Sequence, residues 1–199
     1  MNLISGVLVE AKRVRRFRKS SNSHEKDFPT QDLFVLIHGN DGVKEKHGTM
    51  HIWIDADACP AETKEVLFRA AKRIGLPLTL VANQHMSVPK SSLISFELVG
   101  SQPDAADDRI VELLQPGDLV VTADIPLSAR AIEMEAHVVD PRGELLDKNN
   151  IGSRLSTRDF LEQFRASGGQ TPGPPPYTAK DKRNFANQLD RLLEKRLRG

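Results

Sequence analysis

From His51 onward, short β-prone apolar runs alternate with segments of helical periodicity, and this alternation constrains the fold more tightly than any other feature of the chain. Strands are predicted over 51–55, 78–82 (LTLVA), 94–99 (ISFELV), 118–122 (DLVVT) and 137–140 (HVVD), and helices over 61–74, 105–114, 126–135, 157–166 and 179–197. The first helix begins after Pro60 and stops at Gly75, the favoured order of proline first and glycine last. The expected architecture is a three-layer α/β domain with a mostly parallel sheet. DPRGE at 140–144 reads as a turn, and SGGQTPGPPP at 167–176 as an irregular arm, because glycine and proline there oppose regular structure. The last helix carries Phe185, Leu189, Leu192, Leu193 and Leu197 on one stripe. Such a stripe docks on the domain or on a second copy of the chain, giving a homo-oligomer.

The segment MHIWIDADACP, Met50 to Pro60, places two aspartates one residue apart where an apolar run ends. If the strand stays extended, Asp55 and Asp57 project to the same side, roughly 7 Å apart, at the carboxyl end of the first strand. In open parallel sheets that edge, where strand order reverses, is where ligands bind. VVTADIP brings Asp124 to the same edge after the fourth strand, and PDAADD adds Asp104, Asp107 and Asp108 at the start of a helix. Acids from three separated segments are therefore expected on one rim. Such a cluster raises its own pKa values unless a cation compensates, and an oxygen-only ligand set suits Mg²⁺ or Mn²⁺. Taken singly, each of Asp57, Asp104 and Asp124 is also placed as an ordinary helix N-cap.

Two chemistries use an Asp-x-Asp after a first strand. In the haloacid-dehalogenase phosphatases the first aspartate is a covalent nucleophile and the second a general acid, roles that would fall to Asp55 and Asp57, with Thr122 in the second motif. The late acidic motif of that pattern should follow a strand, whereas Gly117-Asp118 precedes one. In PIN-like metal-dependent nucleases the acids come from the ends of the first and fourth strands and from an intervening helix, the distribution seen here. IWIDADACP, LVANQ, DAADDRI, GDLVVTADIPLSA, DPRGELLDKNNI and the tail from Asp181-Lys182-Arg183-Asn184-Phe185 to Leu189-Asp190 occur in that order. Together these blocks resemble the uncharacterised bacterial YaiI/YqxD family over residues 50–199. The resemblance implies a PIN-like fold and a nuclease role, RNA favoured over DNA, with Asp55, Asp57 and Asp124 catalytic and bound to metal. One of Asp104, Asp107 and Asp108 would then complete the ligand set. A small haloacid-dehalogenase-like phosphatase using Asp55 as nucleophile is the runner-up enzyme, and a PIN-like module that binds nucleic acid or a partner without cutting is the non-enzymatic alternative.

Composition narrows the setting. Lys and Arg total 28 against 27 Asp and Glu, so the net charge of +1 supplies no global field for a polyanion, and attraction must be local. Arg142, Arg154, Arg158, Lys180, Lys182 and Arg183 are the cations expected to grip phosphates beside the acids, with Asn83, His85 and Thr122 facing substrate or metal-bound water. One Trp and one Tyr do not make a base-stacking platform. The single cysteine, Cys59, excludes an intramolecular disulfide, and its spacing from the six histidines excludes a structural zinc site, which fits a reducing cytoplasm. It reads as a small packing residue rather than a reactive thiol. The apolar run Leu33 to Ile37 is too short for a membrane span or a signal-peptide core. Residues 1–49, with basic residues clustered at 12–19 and a polar run after them, read as a poorly ordered extension, and Met50 as a natural translation start. The domain is expected over 50–170 and the proline-rich arm with its helix over 171–199.

Overall fold

The computed structural model describes residues 50–198. The expectations for residues 1–49 lie outside the described residues. Six strands form one sheet in the order β3-β2-β1-β4-β5-β6. They are β1 (Ile52–Asp55), β2 (Leu78–Ala82), β3 (Ile94–Leu98), β4 (Leu119–Val121), β5 (His137–Val139) and β6 (Leu145–Leu146). Every pairing is parallel except β5 with β6. The helices are α1 (Ala61–Ile74), α2 (Ala105–Leu113), α3 (Ile125–Glu133), α4 (Ile151–Ala166) and α5 (Ala179–Arg198).

Strand alternation sorts the core into two layers. Ile52, Ile54, Leu78, Leu80, Leu119 and Val121 face α1, which contributes Val66, Leu67, Ala70 and Ala71, and α5, which contributes Phe185, Leu189 and Leu193. Trp53, Val81, Val120 and Val138 face the other way, onto Ile110 of α2 and Leu127, Ala131 and Ile132 of α3. Both faces are covered, so β1, β2 and β4 read as continuous apolar runs rather than alternating ones. The three-layer α/β architecture is the one expected from the sequence.

Two elements differ from the prediction. The stretch after DPRGE forms β6, a two-residue antiparallel return, because Gly143 at φ 91° lets Asp140 accept its N–H at 2.8 Å and turns the chain back. A Cβ at Gly143 would lie 2.5 Å from the Asn184 carbonyl carbon and the Phe185 nitrogen, so glycine is also what lets this turn touch α5. Helix α4 begins at Ile151, six residues before the predicted 157. Gly152 and Ser153 obscure the start in sequence, yet near a helix N-terminus they cost little, and Ile151 packs on the α3 layer.

The C-terminal arm is tied down by side chains. Arg142 donates to the Asp181 carboxylate at 3.0 Å and to the Pro175 carbonyl at 2.6 Å, with its guanidinium 5.8 Å from the Tyr177 ring centre. Thr63 donates to the Tyr177 hydroxyl at 2.9 Å. At the amino edge of the sheet the buried Asp118 carboxylate accepts from His51 N, Trp53 Nε1 and Gln115 N, all within 3.0 Å. No helix among the described residues is long and apolar enough to cross a membrane.

Candidate functional site

β1 and β4 are adjacent and parallel, and strand order reverses between them, so the carboxyl edge at this pair is the topological switch point. Asp55 ends β1 there, and Asp124 follows β4. The register that sets Ile54 opposite Val121 sets Asp55 opposite Thr122 one step further on. Accordingly the buried Thr122 hydroxyl donates to Asp55 Oδ2 at 2.7 Å and accepts the Asp124 backbone N–H at 2.9 Å. One hydroxyl thus fixes the two acids relative to each other. Its donor serves Asp55 rather than a metal-bound water, the partner expected from sequence.

Asp55 is 5% exposed, and burial pushes its pKa up. The hydrogen bonds from Thr122 and the Ala58 N–H oppose that shift, while the charges of Asp124 and Asp57 add to it. Asp124 is also the α3 N-cap, accepting the Leu127 N–H at 2.8 Å through Oδ1, so it is a cap whatever else it does. Asp57 departs from the predicted geometry. β1 ends at Asp55 and the chain bends over 56–59, so Asp57 is not the next inward position of an extended strand. It is exposed and accepts the Asn83 N–H at 2.9 Å, which stitches the loop after β1 to the loop after β2.

The three α2 acids separate in behaviour. Asp108 pairs with Arg130 of α3 at 2.8 Å. Asp104 is exposed, holds the left-handed region at φ 61°, and makes no capping bond. Asp107 is partly buried and its pKa is pushed up to about 7, first by burial and then by the charges of Asp124, Asp55 and Asp104, with Arg130 opposing. Of the three, Asp107 is the one whose charge converges with Asp55 and Asp124. As the side chains stand, no three His, Cys, Asp or Glu residues among those described are grouped to hold a metal ion.

The structure adds Asp140, which follows β5 at the same edge, is partly buried with a raised pKa caused first by burial, and accepts the Arg142 N–H at 2.5 Å. Its signal in the sequence was the one shared by Asp55 and Asp124, an aspartate directly after a strand. Lys64 of α1 is a second addition, donating to the Ala56 carbonyl of the acidic loop at 3.0 Å. Cys59 is buried among apolar side chains, and its thiol is pushed up to about 12 by burial, as suits a packing residue.

The cations expected to meet phosphate are mostly engaged elsewhere. Arg142 holds the arm, Arg154 grips Glu144, Arg158 pairs with Asp159 and Glu162, and Lys182 pairs with Glu65. Arg183 is exposed on α5 with no ion pair among the described residues, and Asn83 and His85 are exposed in the loop after β2. Asp118, the acid nearest to a late phosphatase motif, sits before β4 at the opposite edge from Asp55, fully hydrogen-bonded. It cannot join Asp55 in one site.

Residues 53–195 match the family described as "Uncharacterized BCR, YaiI/YqxD family". The chain belongs to that family. A UPF0178 protein of Hydrogenovibrio crunogenus is 56% identical over 144 residues, which is 72% of this chain and 95% of the relative. A UPF0178 protein of Thioalkalivibrio sulfidiphilus is 54% identical over 147 residues, 74% of this chain and 100% of the relative, and one of Photobacterium profundum is 53% identical over 146 residues, 73% and 97%. No solved structure matches the chain. Within the YaiI/YqxD family, then, this chain carries aspartates at the carboxyl edge that end β1, follow β4 and β5 and open α2.

Proposed function

We propose that the carboxyl-edge acids form the centre of a divalent-metal-dependent nuclease that hydrolyses phosphodiester bonds, with RNA favoured over DNA. The observation that carries this reading is the switch-point edge itself, where the Thr122 hydroxyl ties Asp55 to Asp124 and where burial and the charges of Asp124, Asp55 and Asp104 push the Asp107 pKa up to about 7. Three chain segments bring negative charge to one place, and among the described residues Arg130 is the cation that opposes it there. Carboxylate oxygens are the donors that Mg²⁺ and Mn²⁺ take, and a divalent ion answers that charge. Asp55, Asp124 and Asp107 would hold it, with Asp57 and Asp104 on the rim and Asp108 drawn off by Arg130. Closing the ligand set requires side chains to rotate, and Asp104 and Asp107 have no side-chain hydrogen bond among the described residues to break in doing so. When bound, such an ion activates water and neutralises charge developing on the phosphate. Thr122 acts as the positioning residue, because it aims Asp55 and holds the backbone of Asp124.

Asp124→Asn tests the assignment, since Asn is as good an N-cap and leaves the fold intact while removing a negative charge from the ion's surroundings. Mn²⁺ titrated into both proteins by calorimetry should bind wild type and lose most of its affinity for the variant. Cleavage of a labelled single-stranded RNA under Mn²⁺ should disappear with it. Equal Mn²⁺ affinities would remove Asp124 from the site, and metal binding without cleavage of RNA or DNA would transfer the protein to the non-catalytic reading.

A further inference from the structure

A second polar surface lies at the same edge of the sheet, between the β5–β6 turn and the outer face of α5. It is a cavity of about 390 Å³ walled by Arg142, Glu144, Asn184, Asn187, Gln188 and Arg191. That volume is in the range of small-ligand pockets. The side-chain amides of Asn184, Asn187 and Gln188 make no hydrogen bond among the described residues, and Arg191 makes no ion pair there; Asn184, Asn187 and Arg191 are exposed and Gln188 is half-buried. The one acid on the wall, Glu144, is neutralised by Arg154. Arg142 spends two of its five N–H donors on Asp181 and Pro175.

Polar residues extend beyond the cavity along α5. Lys180, Asn184, Asn187, Gln188, Arg191 and Lys195 recur at helical spacing and form one stripe without an acid inside it, Glu194 lying at its border. Two of the acids of α5 are engaged in ion pairs, Asp181 with Arg142 of the cavity wall and Asp190 with Arg73, and Asp181 also accepts from Thr178. A stripe with amides at its middle and cations at both ends has the donors to hold phosphates and the edges to pair with bases. β5 runs parallel to β1 and β4, so the turn that walls the cavity leaves the sheet at the edge that carries Asp55 and Asp124.

We infer that this cavity and stripe bind a single-stranded RNA segment, one nucleotide seated between Arg142 and Arg191 and its neighbours laid along α5. The choice of polymer rests on the nuclease reading, and the site itself uses none of the acids.

The probe is a fluorescein-labelled 15-nucleotide single-stranded RNA, followed by anisotropy in EDTA at several salt concentrations. Arg191→Glu and the double variant Asn187→Ala/Gln188→Ala change exposed or half-exposed α5 positions and should leave the melting temperature unchanged. Arg191→Glu should weaken binding about tenfold or more and reduce the salt slope by about 0.7, the value for one phosphate that is no longer neutralised. The amide double variant should weaken binding with the slope unchanged. Arg191→Glu binding as tightly as wild type, no binding of the RNA by wild type, or full competition by millimolar AMP with an affinity matching the RNA would each overturn the inference. Cleavage under Mn²⁺ that survives Arg191→Glu, with RNA affinity unchanged, sinks the cavity and spares the nuclease. Intact binding by wild type that Arg191→Glu weakens, with no cleavage under Mg²⁺ or Mn²⁺, sinks the nuclease and supports the cavity.

Discussion

Replacing Asp107 by Asn in the metal-free protein should stabilise it at alkaline pH and leave it unchanged in acid. In the folded chain this carboxyl titrates at about 7 against an ordinary 3.8. Between those values the folded state binds more protons than the unfolded one, so stability declines as pH rises from about 4 to about 7 and stays at its lower level above that. At about 1.4 kcal/mol per pKa unit the shift sets a ceiling of roughly 4 kcal/mol. Asp107 is partly exposed, and water screens the neighbouring charges, so about 1–2 kcal/mol is the expected gain for the variant at pH 8. In a domain of this size that corresponds to roughly 2–8 °C in Tm. Thermal melts of both proteins by circular dichroism in EDTA at pH 4 and pH 8 measure it. The two should coincide at pH 4, because Asn reproduces the neutral acid, and separate at pH 8 with the variant higher. Saturating Mn²⁺ at pH 8 should then raise wild type more than the variant, because an ion that uses this charge binds only the folded wild-type site. A variant no more stable than wild type at pH 8 refutes the claim that burial and the charges of Asp124, Asp55 and Asp104 raise the pKa of this carboxyl.

Other substitutions separate positioning from folding. Thr122→Val keeps the shape but leaves Asp55 buried without its 2.7 Å donor and Asp124 N without its acceptor, so urea unfolding should show a loss of about 1–3 kcal/mol. Asp118→Ala leaves three donors unpaired at the amino edge, and the same measurement should show a larger loss, about 3–5 kcal/mol, with no effect on Mn²⁺ affinity because the residue lies across the sheet from Asp55. With a thiol pKa of about 12, only about one part in ten thousand of Cys59 is thiolate at pH 8, so a thiol-disulfide reagent should label it slowly in the folded protein and at once in urea.

The sequence by itself determined which elements form and in what order. Alternating apolar runs and helix-periodic segments, punctuated by Pro60 and Gly75, carry their own local physics, and β2 and α1 occupy the predicted residues. The presence of aspartates directly after strands was equally legible, because that spacing is local. Only the tertiary structure decided how those acids differ. Asp107 is partly buried beside Asp55 and Asp124, while Arg130, 22 residues away from Asp108 in sequence, takes Asp108 for an ion pair. Asp57 leaves the inward face because the chain bends after Asp55 and the Asn83 N–H draws its carboxylate to the neighbouring loop. Likewise β6 exists because Gly143 lets a turn close against α5, and neither two leucines nor a glycine announces that approach in the chain. Burial, and with it the raised pKa of Asp55, Asp107 and Asp140, is set by which layers meet at the edge, and that depends on contacts between segments far apart in the sequence.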